Sequence, residues 1–270
     1  MLECVINISE GRDEFLLARL DAAAGPSLRD RHSDPHHHRS VFTLINDRDV
    51  LRDDVRSLCA RALDLVDLRS HDGVHPRLGV VDVVPFVPLG DASAAGALEE
   101  RDRCARWLGE HGVPAFLYGE LSSGEFRDLP TVRREAFSVI SPEFGPAVAS
   151  PRSGASAVGA REILVAWNIW LTGVSLEETR RMARELRRPG LRTLGLAVGS
   201  FTQVSCNLVD WRRASPLEVY DAVLARVGRD RLVRAELVGL APTDLLRSLP
   251  ESRWGELGFD ESTTIESRLT

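Results

Sequence analysis

The order of hydrophobic periodicities constrains this chain most, because one six-part succession of strand-like and helix-like segments occurs twice. In the first half, Glu3–Ile8 alternates as a half-buried strand does, and Asp13–Ala24 places Phe15, Leu16, Leu20 and Ala23 on one helical stripe. Polar Ser27–Asp34 and a histidine-rich turn lead to Arg39–Asn46, where Val41, Thr43 and Ile45 share one strand face. Asp47 can cap the next helix: Leu51, Val55, Leu58, Cys59, Ala62 and Val66 recur at three and four, while Arg52, Asp53, Asp54 and Arg56 stay outside. After a loop over Ser70–Gly79, Val80–Pro88 is a near-continuous apolar run bounded by glycine and proline, the pattern of a strand buried on both faces. With the polar Ser27–Asp34 stretch counted as a strand, the order is β-α-β-β-α-β.

A further helix over Ala92–Leu108 and a strand over Pro114–Tyr118 follow, and then a Gly/Pro/Ser-rich passage from Leu121 to Gly159. A boundary near the end of that passage gives expected domains of 1–157 and 158–270. The second half repeats the plan. Ile163–Trp170 reads as a strand, and Ser175 with Glu178 forms a capping box for a helix reaching Arg187. Leu191–Val198 and Phe201–Val209 read as a hairpin across Gly199-Ser200, and Ser215-Pro216 with Glu218 opens the next helix. Leu232–Val238 is the last strand and Thr243–Leu249 a short helix. The expected class is α+β, with two tandem ferredoxin-like subdomains facing a cleft. The polar tail from Glu251 to Thr270 has weak periodicity and is expected to be partly disordered.

Composition removes several functions. Hydrophobic residues make up 43% and charged residues 27%, enough apolar matter for a core, yet no run approaches the ~18–20 residues that cross a bilayer. Met1–Ile8 has no basic n-region, so no signal peptide is expected and a cytoplasmic location is. The net charge of −6 argues against a nucleic-acid partner. All 34 basic residues are arginine, which excludes a Schiff-base lysine and a Walker-type phosphate lysine. The stretch Gly190–Gly199 lacks dinucleotide-binding spacing. Cys4, Cys59, Cys104 and Cys206 are scattered without a C-x-x-C pair and read as reduced, buried thiols.

Six of the seven histidines lie between His32 and His75. One group is His32-Ser-Asp34-Pro-His36-His37-His38-Arg39, a turn entering a strand. The other is His71-Asp72-Gly73-Val74-His75-Pro76-Arg77, a loop entering the apolar strand, so the two loops can converge if the strands share a sheet. Three readings stand at this point. Metal ligation suits the H-x₃-H spacing of His71 and His75, but Gly73 and Pro76 make the helix it needs improbable. Hydrogen-bonded loop histidines are the plain alternative. Acid–base chemistry is the third, with Arg39 and Arg77 gripping a substrate carboxylate.

The motifs Glu3-Cys-Val-Ile-Asn7-Ile-Ser9-Glu10-Gly11, Arg39-Ser-Val-Phe-Thr43, His71-Asp-Gly-Val-His75-Pro-Arg77-Leu-Gly79-Val-Val-Asp82-Val-Val-Pro85-Phe-Val-Pro88, Leu117-Tyr-Gly119-Glu120, Glu143-Phe-Gly145-Pro146, Gly159-Ala-Arg161, Asn168, Gln203-Val-Ser205-Cys-Asn207-Leu-Val-Asp210 and Leu237-Val-Gly-Leu240 resemble, in this order, the formiminotransferase family. The resemblance covers about residues 2–245. It implies two ferredoxin-like subdomains and transfer of a formimino group from N-formimidoyl-L-glutamate to N5 of tetrahydrofolate, in histidine degradation. Tetrahydrofolate is then an acceptor substrate, and no metal is expected.

By the same resemblance the catalytic histidine is the one in the H-P-R triplet, His75. Gly145, Pro146, Ala147, Val148, Ala149, Ser150, Pro151, Arg152, Ser153 and Gly154 match a folate-contacting segment, a run whose small residues let backbone amides approach a ligand closely. His37, His38 and Asp82 are candidates to orient His75 or the formimino nitrogen. For Asp82 a strand end facing water is an equal alternative. Arg39, Arg77 and Arg161 are the candidate carboxylate binders. Asn7 and Asn168 either bind amide groups or cap turns, and Cys206 is read as core. Departures from the family pattern are Ile6 for a proline, His38 for an asparagine and Trp170 for a polar residue. They keep open a related folate-dependent transferase with a different formimino or formyl donor, and a non-catalytic folate binder. Other expected partners are a second copy of the chain, forming a homodimer, and a separate cyclodeaminase.

Overall fold

The computed structural model describes residues 1–73 and 76–269. The chain divides into two compact units, Met1–Glu162 and Ile163–Thr270. It is a mixed α+β protein with one seven-stranded sheet and one four-stranded antiparallel sheet.

The first unit runs β1 (Leu2–Ile8), α1 (Glu14–Ala23), β2 (Leu28–Asp34), β3 (Arg39–Asn46), α2 (Arg48–Leu65), β4 (Val81–Pro88), α3 (Ala94–Glu110), β5 (Ala115–Glu120), β6 (Phe126–Arg127), α4 (Leu129–Glu135) and β7 (Ser156–Ala160). The strand order is β2-β3-β1-β4-β7-β5-β6. Leu2, Cys4, Ile6 and Ile8 of β1 pack with Leu17 and Leu20 of α1 and Leu51, Val55 and Leu58 of α2 in one buried cluster, as the two periodicities require.

Polar Leu28–Asp34 is an edge strand paired to β3, half-buried along its length, so its side chains gave no alternation to detect. Two features of this unit differ from the sequence reading. The Gly/Pro/Ser-rich passage holds β6, α4 and β7. The boundary drawn at 157/158 falls inside β7, whose parallel pairing to both β4 and β5 keeps it in the first unit.

The second unit contains β8 (Val165–Leu171), α5 (Leu176–Leu186), β9 (Leu191–Val198), β10 (Phe201–Leu208), α6 (Pro216–Val227), β11 (Leu232–Val238), α7 (Thr243–Arg247) and α8 (Trp254–Leu257). Its strand order is β11-β8-β10-β9, with the β9–β10 hairpin closing at Gly199-Ser200 as read. Ser175 and Ser215 cap their helices as expected, accepting from the Glu178 and Leu217 amides. The described part of the tail, 251–269, is ordered. The Trp167 indole donates to the Leu257 carbonyl at 2.7 Å, and the Trp167 ring stacks on Phe259 with centroids 6.3 Å apart. Leu257, Phe259 and Ile265 are buried, so a few well-spaced apolar anchors order a segment too irregular to show a period. Among the described residues no helix is long and apolar enough to cross a membrane.

The registers in the first unit set the position of the site. Ile8, ending β1, lies opposite Ser40 near the start of β3 and opposite Val81 at the start of β4. The loop after β1, the β2–β3 turn and the loop into β4 therefore meet at one sheet end. β7 is parallel to β4, so the residues before β7 reach the same end.

Candidate active site

The histidine turn is held by carboxylates. Asp34 Oδ1 accepts from the backbone N–H groups of His36 and His37, both at 2.8 Å, which closes the turn. His38 then adopts φ 50°, a left-handed conformation that asparagine and histidine tolerate better than most residues. The asparagine expected there from the family pattern and the histidine present thus suit one backbone. Glu10 is buried beneath, and its Oε1 accepts from the amides of Gly11 (2.8 Å), Arg12 (2.7 Å) and Asp13 (3.1 Å) and from His38 Nε2 (3.1 Å). Burial alone would raise the Glu10 carboxyl, but those amides and the His38 imidazole outweigh it and hold the pKa below the ordinary value. On the other ring edge, His38 Nδ1 lies 3.5 Å from Asp72 Oδ1, which Arg12 also grips at 2.6 Å.

Two glycines permit this closeness. A Cβ on Gly11 would lie 2.5 Å from the Asp34 carbonyl, and one on Gly73 would lie 2.3 Å from the His37 carbonyl. Either substitution would push the loops apart.

His71 stacks on His38 with ring centroids 4.0 Å apart. Its Nε2 donates to the His38 carbonyl at 2.9 Å, while Nδ1 accepts from the Gly73 amide at 3.2 Å and from the Arg77 guanidinium. The His38 carbonyl and the Gly73 amide together suit the neutral Nε2–H tautomer. Burial and the adjacent Arg77 charge push the His71 pKa down to about 4. Arg77 also donates to the Gly73 carbonyl at 2.8 Å, and its own pKa is lowered by burial.

Asp82 anchors the third part. Its side chain is 1% exposed, which overturns the water-facing alternative. Oδ1 accepts from the Leu78 amide at 2.7 Å and from Arg133 Nη1 at 3.2 Å; Oδ2 accepts from Arg133 Nη2 at 2.6 Å and Arg39 Nη1 at 3.0 Å. Arg39 Nε reaches Asn7 Oδ1 at 3.1 Å, and Arg133 Nη1 reaches the Pro76 carbonyl at 3.0 Å. Burial lowers Arg39 to about 10, with Asp82 opposing and Arg133 and Arg77 adding to the fall, so it remains a cation at neutral pH.

Of the residues singled out from sequence, His38, Arg39, Arg77 and Asp82 come together at this end. His37, also buried here, places Nδ1 3.9 Å from Asp34 Oδ2. His75 lies outside the described residues, between Gly73 and Pro76. The 145–154 run reaches the same end: Gly154 N–H closes a turn onto the Ser150 carbonyl at 2.8 Å, and Val80 N–H donates to the Ser153 carbonyl at 2.8 Å. Pro146, Ala147 and Val148 of that run are exposed. Arg161 stands apart. It follows the last residue of β7 and its amide donates to the Phe86 carbonyl, four residues up β4 from Asp82 and so roughly 13 Å along the strand. There it lies beside the buried Tyr118, whose phenol burial pushes up to about 12.

Sequence reading missed Arg133 and gave no role to Glu10 or Arg12. For Arg133 a signal existed: Asp128 caps α4 by accepting from the Thr131 amide at 2.9 Å, Pro130 stands in the first turn, and Arg133 and Arg134 close the last. The cysteines are buried as expected, and burial raises Cys206 to about 12. Among the described residues no three His, Cys, Asp or Glu side chains are grouped to hold a metal ion.

A sheet end that gathers imidazoles, paired guanidinium groups and a buried carboxylate has the side chains of a candidate small-molecule enzyme site. Residues 1–161 match the model of the formiminotransferase domain, N-terminal subdomain. The chain is 32% identical to a glutamate formimidoyltransferase of Thermoplasma acidophilum, covering 100% of this chain and 97% of the relative. A glutamate formimidoyltransferase of Streptococcus pyogenes is 30% identical over 93% of this chain and 92% of the relative. A formimidoyltransferase-cyclodeaminase of Sus scrofa is 31% identical over 91% of this chain but 51% of its own length. The chain belongs to the formiminotransferase family.

Proposed function

We propose that this protein is an enzyme that transfers a formimino group from N-formimidoyl-L-glutamate to N5 of tetrahydrofolate, in histidine degradation. The observation that carries the reading is the junction at the start of β4, where the H-D-G-V-H-P-R block delivers Pro76 and Arg77 beside Asp82, Arg39 and Arg133 in a chain of this family.

The N5 lone pair attacks the amidine carbon and a C–N bond forms. His75 removes the proton from N5, then gives it to the glutamate nitrogen as the old C–N bond breaks, so glutamate leaves as an amine and the folate carries the formimino group. One imidazole serves both steps because its ordinary pKa of ~6.5 lies near neutrality. Arg39 and Arg77 face the donor's carboxylates, with His37 and His38 beside the formimino nitrogen. Asp82 keeps Arg39 aimed. The 145–154 run lies along the folate through its backbone amides. Folate is elongated, with a pterin at one end and carboxylates at the other, so Arg161 far up β4 and β7 serves the opposite end from His75.

In this reading both units are ferredoxin-like, the protein is a cytoplasmic homodimer that needs no metal, and a separate cyclodeaminase handles the product. The deciding assay mixes the purified protein with tetrahydrofolate and N-formimidoyl-L-glutamate and looks for the amidine-bearing folate. Formation of that product with turnover supports the reading. No product here, but transfer from an N-formyl donor, would establish the related transferase instead.

A further inference from the structure

Arg133 joins two things that no single strand or turn joins. Through Nη1 it donates to the carbonyl of Pro76, the residue directly after His75, at 3.0 Å. Through both Nη atoms it forks onto the buried Asp82, at 3.2 and 2.6 Å. Asp82 in turn holds Arg39 and the Leu78 amide, so the fork ties the chain on the C-terminal side of His75 to the rigid end of β4. A guanidinium fits both contacts, because its donors lie in a fixed plane and can serve a carboxylate and a carbonyl together, whereas an ammonium is a point charge. The helix that supplies it is itself well anchored, with Val132 fully buried among Phe116, Tyr118 and Val83.

We propose that Arg133 is a positioning residue for the transfer reaction, fixing the Pro76 carbonyl and Asp82 and thereby the place of the His75 imidazole. This rests on the proposed role of His75. A loop displaced by about 1 Å is expected to cost up to ~10²-fold in rate, so Arg133→Ala should lower kcat by about 10–100-fold while the KM for N-formimidoyl-L-glutamate moves by less than ~3-fold. Methylguanidinium or ethylguanidinium added to Arg133→Ala should restore at least a tenth of the lost rate, and Arg133→Lys should be intermediate.

The test has an arm that does not depend on turnover. In NMR spectra of the full chain, Arg133→Ala should shift the His75 imidazole resonances and leave those of His111, at the end of α3, in place. Loss of kcat with guanidinium rescue and a shifted His75 supports the proposal. An unchanged kcat, a loss confined to KM, or a loss without rescue overturns it. If Arg133→Ala fails to fold, Arg133→Lys decides by the kcat-against-KM split and the His75 resonances. Should the wild-type protein transfer no formimino group at all, the functional reading fails, while an unmoved His75 resonance would count against the positioning role alone.

Discussion

The four-stranded sheet of the second unit and the first four strands of the first unit share one topology, yet their corresponding ends carry different chemistry. In order of appearance, each has its first strand between its third and fourth, with the second at the edge, and every pair antiparallel. In the second unit the connections at the relevant end are short. β9 passes to β10 across Gly199-Ser200, and α6 reaches β11 through Gly228–Arg231. In the first unit the turn between β2 and β3 holds three histidines, and fifteen positions, 66–80, separate α2 from β4. A shared strand order therefore fixes where loops meet, and loop length and content decide whether anything can be done there.

The difference can be tested from its strongest point downward. His75→Ala should fold normally and lose turnover by at least ~10²-fold, the usual scale of general acid–base help. Near-normal kcat in steady-state assays would remove His75 from the mechanism and the first unit's sheet end from its place as the active end. Asp82→Asn comes next. It leaves two guanidinium groups around a neutral amide, and breaking a buried pair in this way should destabilise the protein by about 3–5 kcal/mol, read from urea unfolding.

A smaller effect is expected from pH. The His71 pKa falls from 6.5 unfolded to about 4 folded, so the unfolded chain binds the proton between these values. The neutral ring's contribution is thus complete above pH 6.5 and is lost as pH falls toward 4. His71→Asn should flatten the fall in Tm between pH 7 and 5, and parallel curves for variant and wild type would show that His71 is not held neutral. The smallest effect belongs to the second unit. Ser200→Ala in the exposed β9–β10 turn should leave kcat unaltered and stability within ~0.5 kcal/mol; a marked loss of rate would break the contrast between the two sheet ends.

Much of this was legible in the residues. Helix caps at Ser175 and Ser215, the α2 stripe and the buried β4 run are patterns confined to a few neighbouring residues, and each marks its element to within about two positions. For the same reason the two histidine groups stood out as loops, and the fold brings those loops to one sheet end. Edge strand β2 showed no period of its own, because polar residues on both faces leave none. Helix α4 escaped because its apolar signal is a single buried Val132 amid glycine, serine and proline.

Most of the order of elements, the α+β class, the family and the candidate residues could be read along the chain, since periodicity, capping and motif spacing are properties of neighbouring residues. Only folding brought Asp82 to Arg39 across 43 positions and to Arg133 across 51, set Glu10 under His38, and left Arg161 at the far end of the strand. Those meetings depend on strand pairing and register, which are set by the packing of the whole sheet and helix layer and by no local pattern.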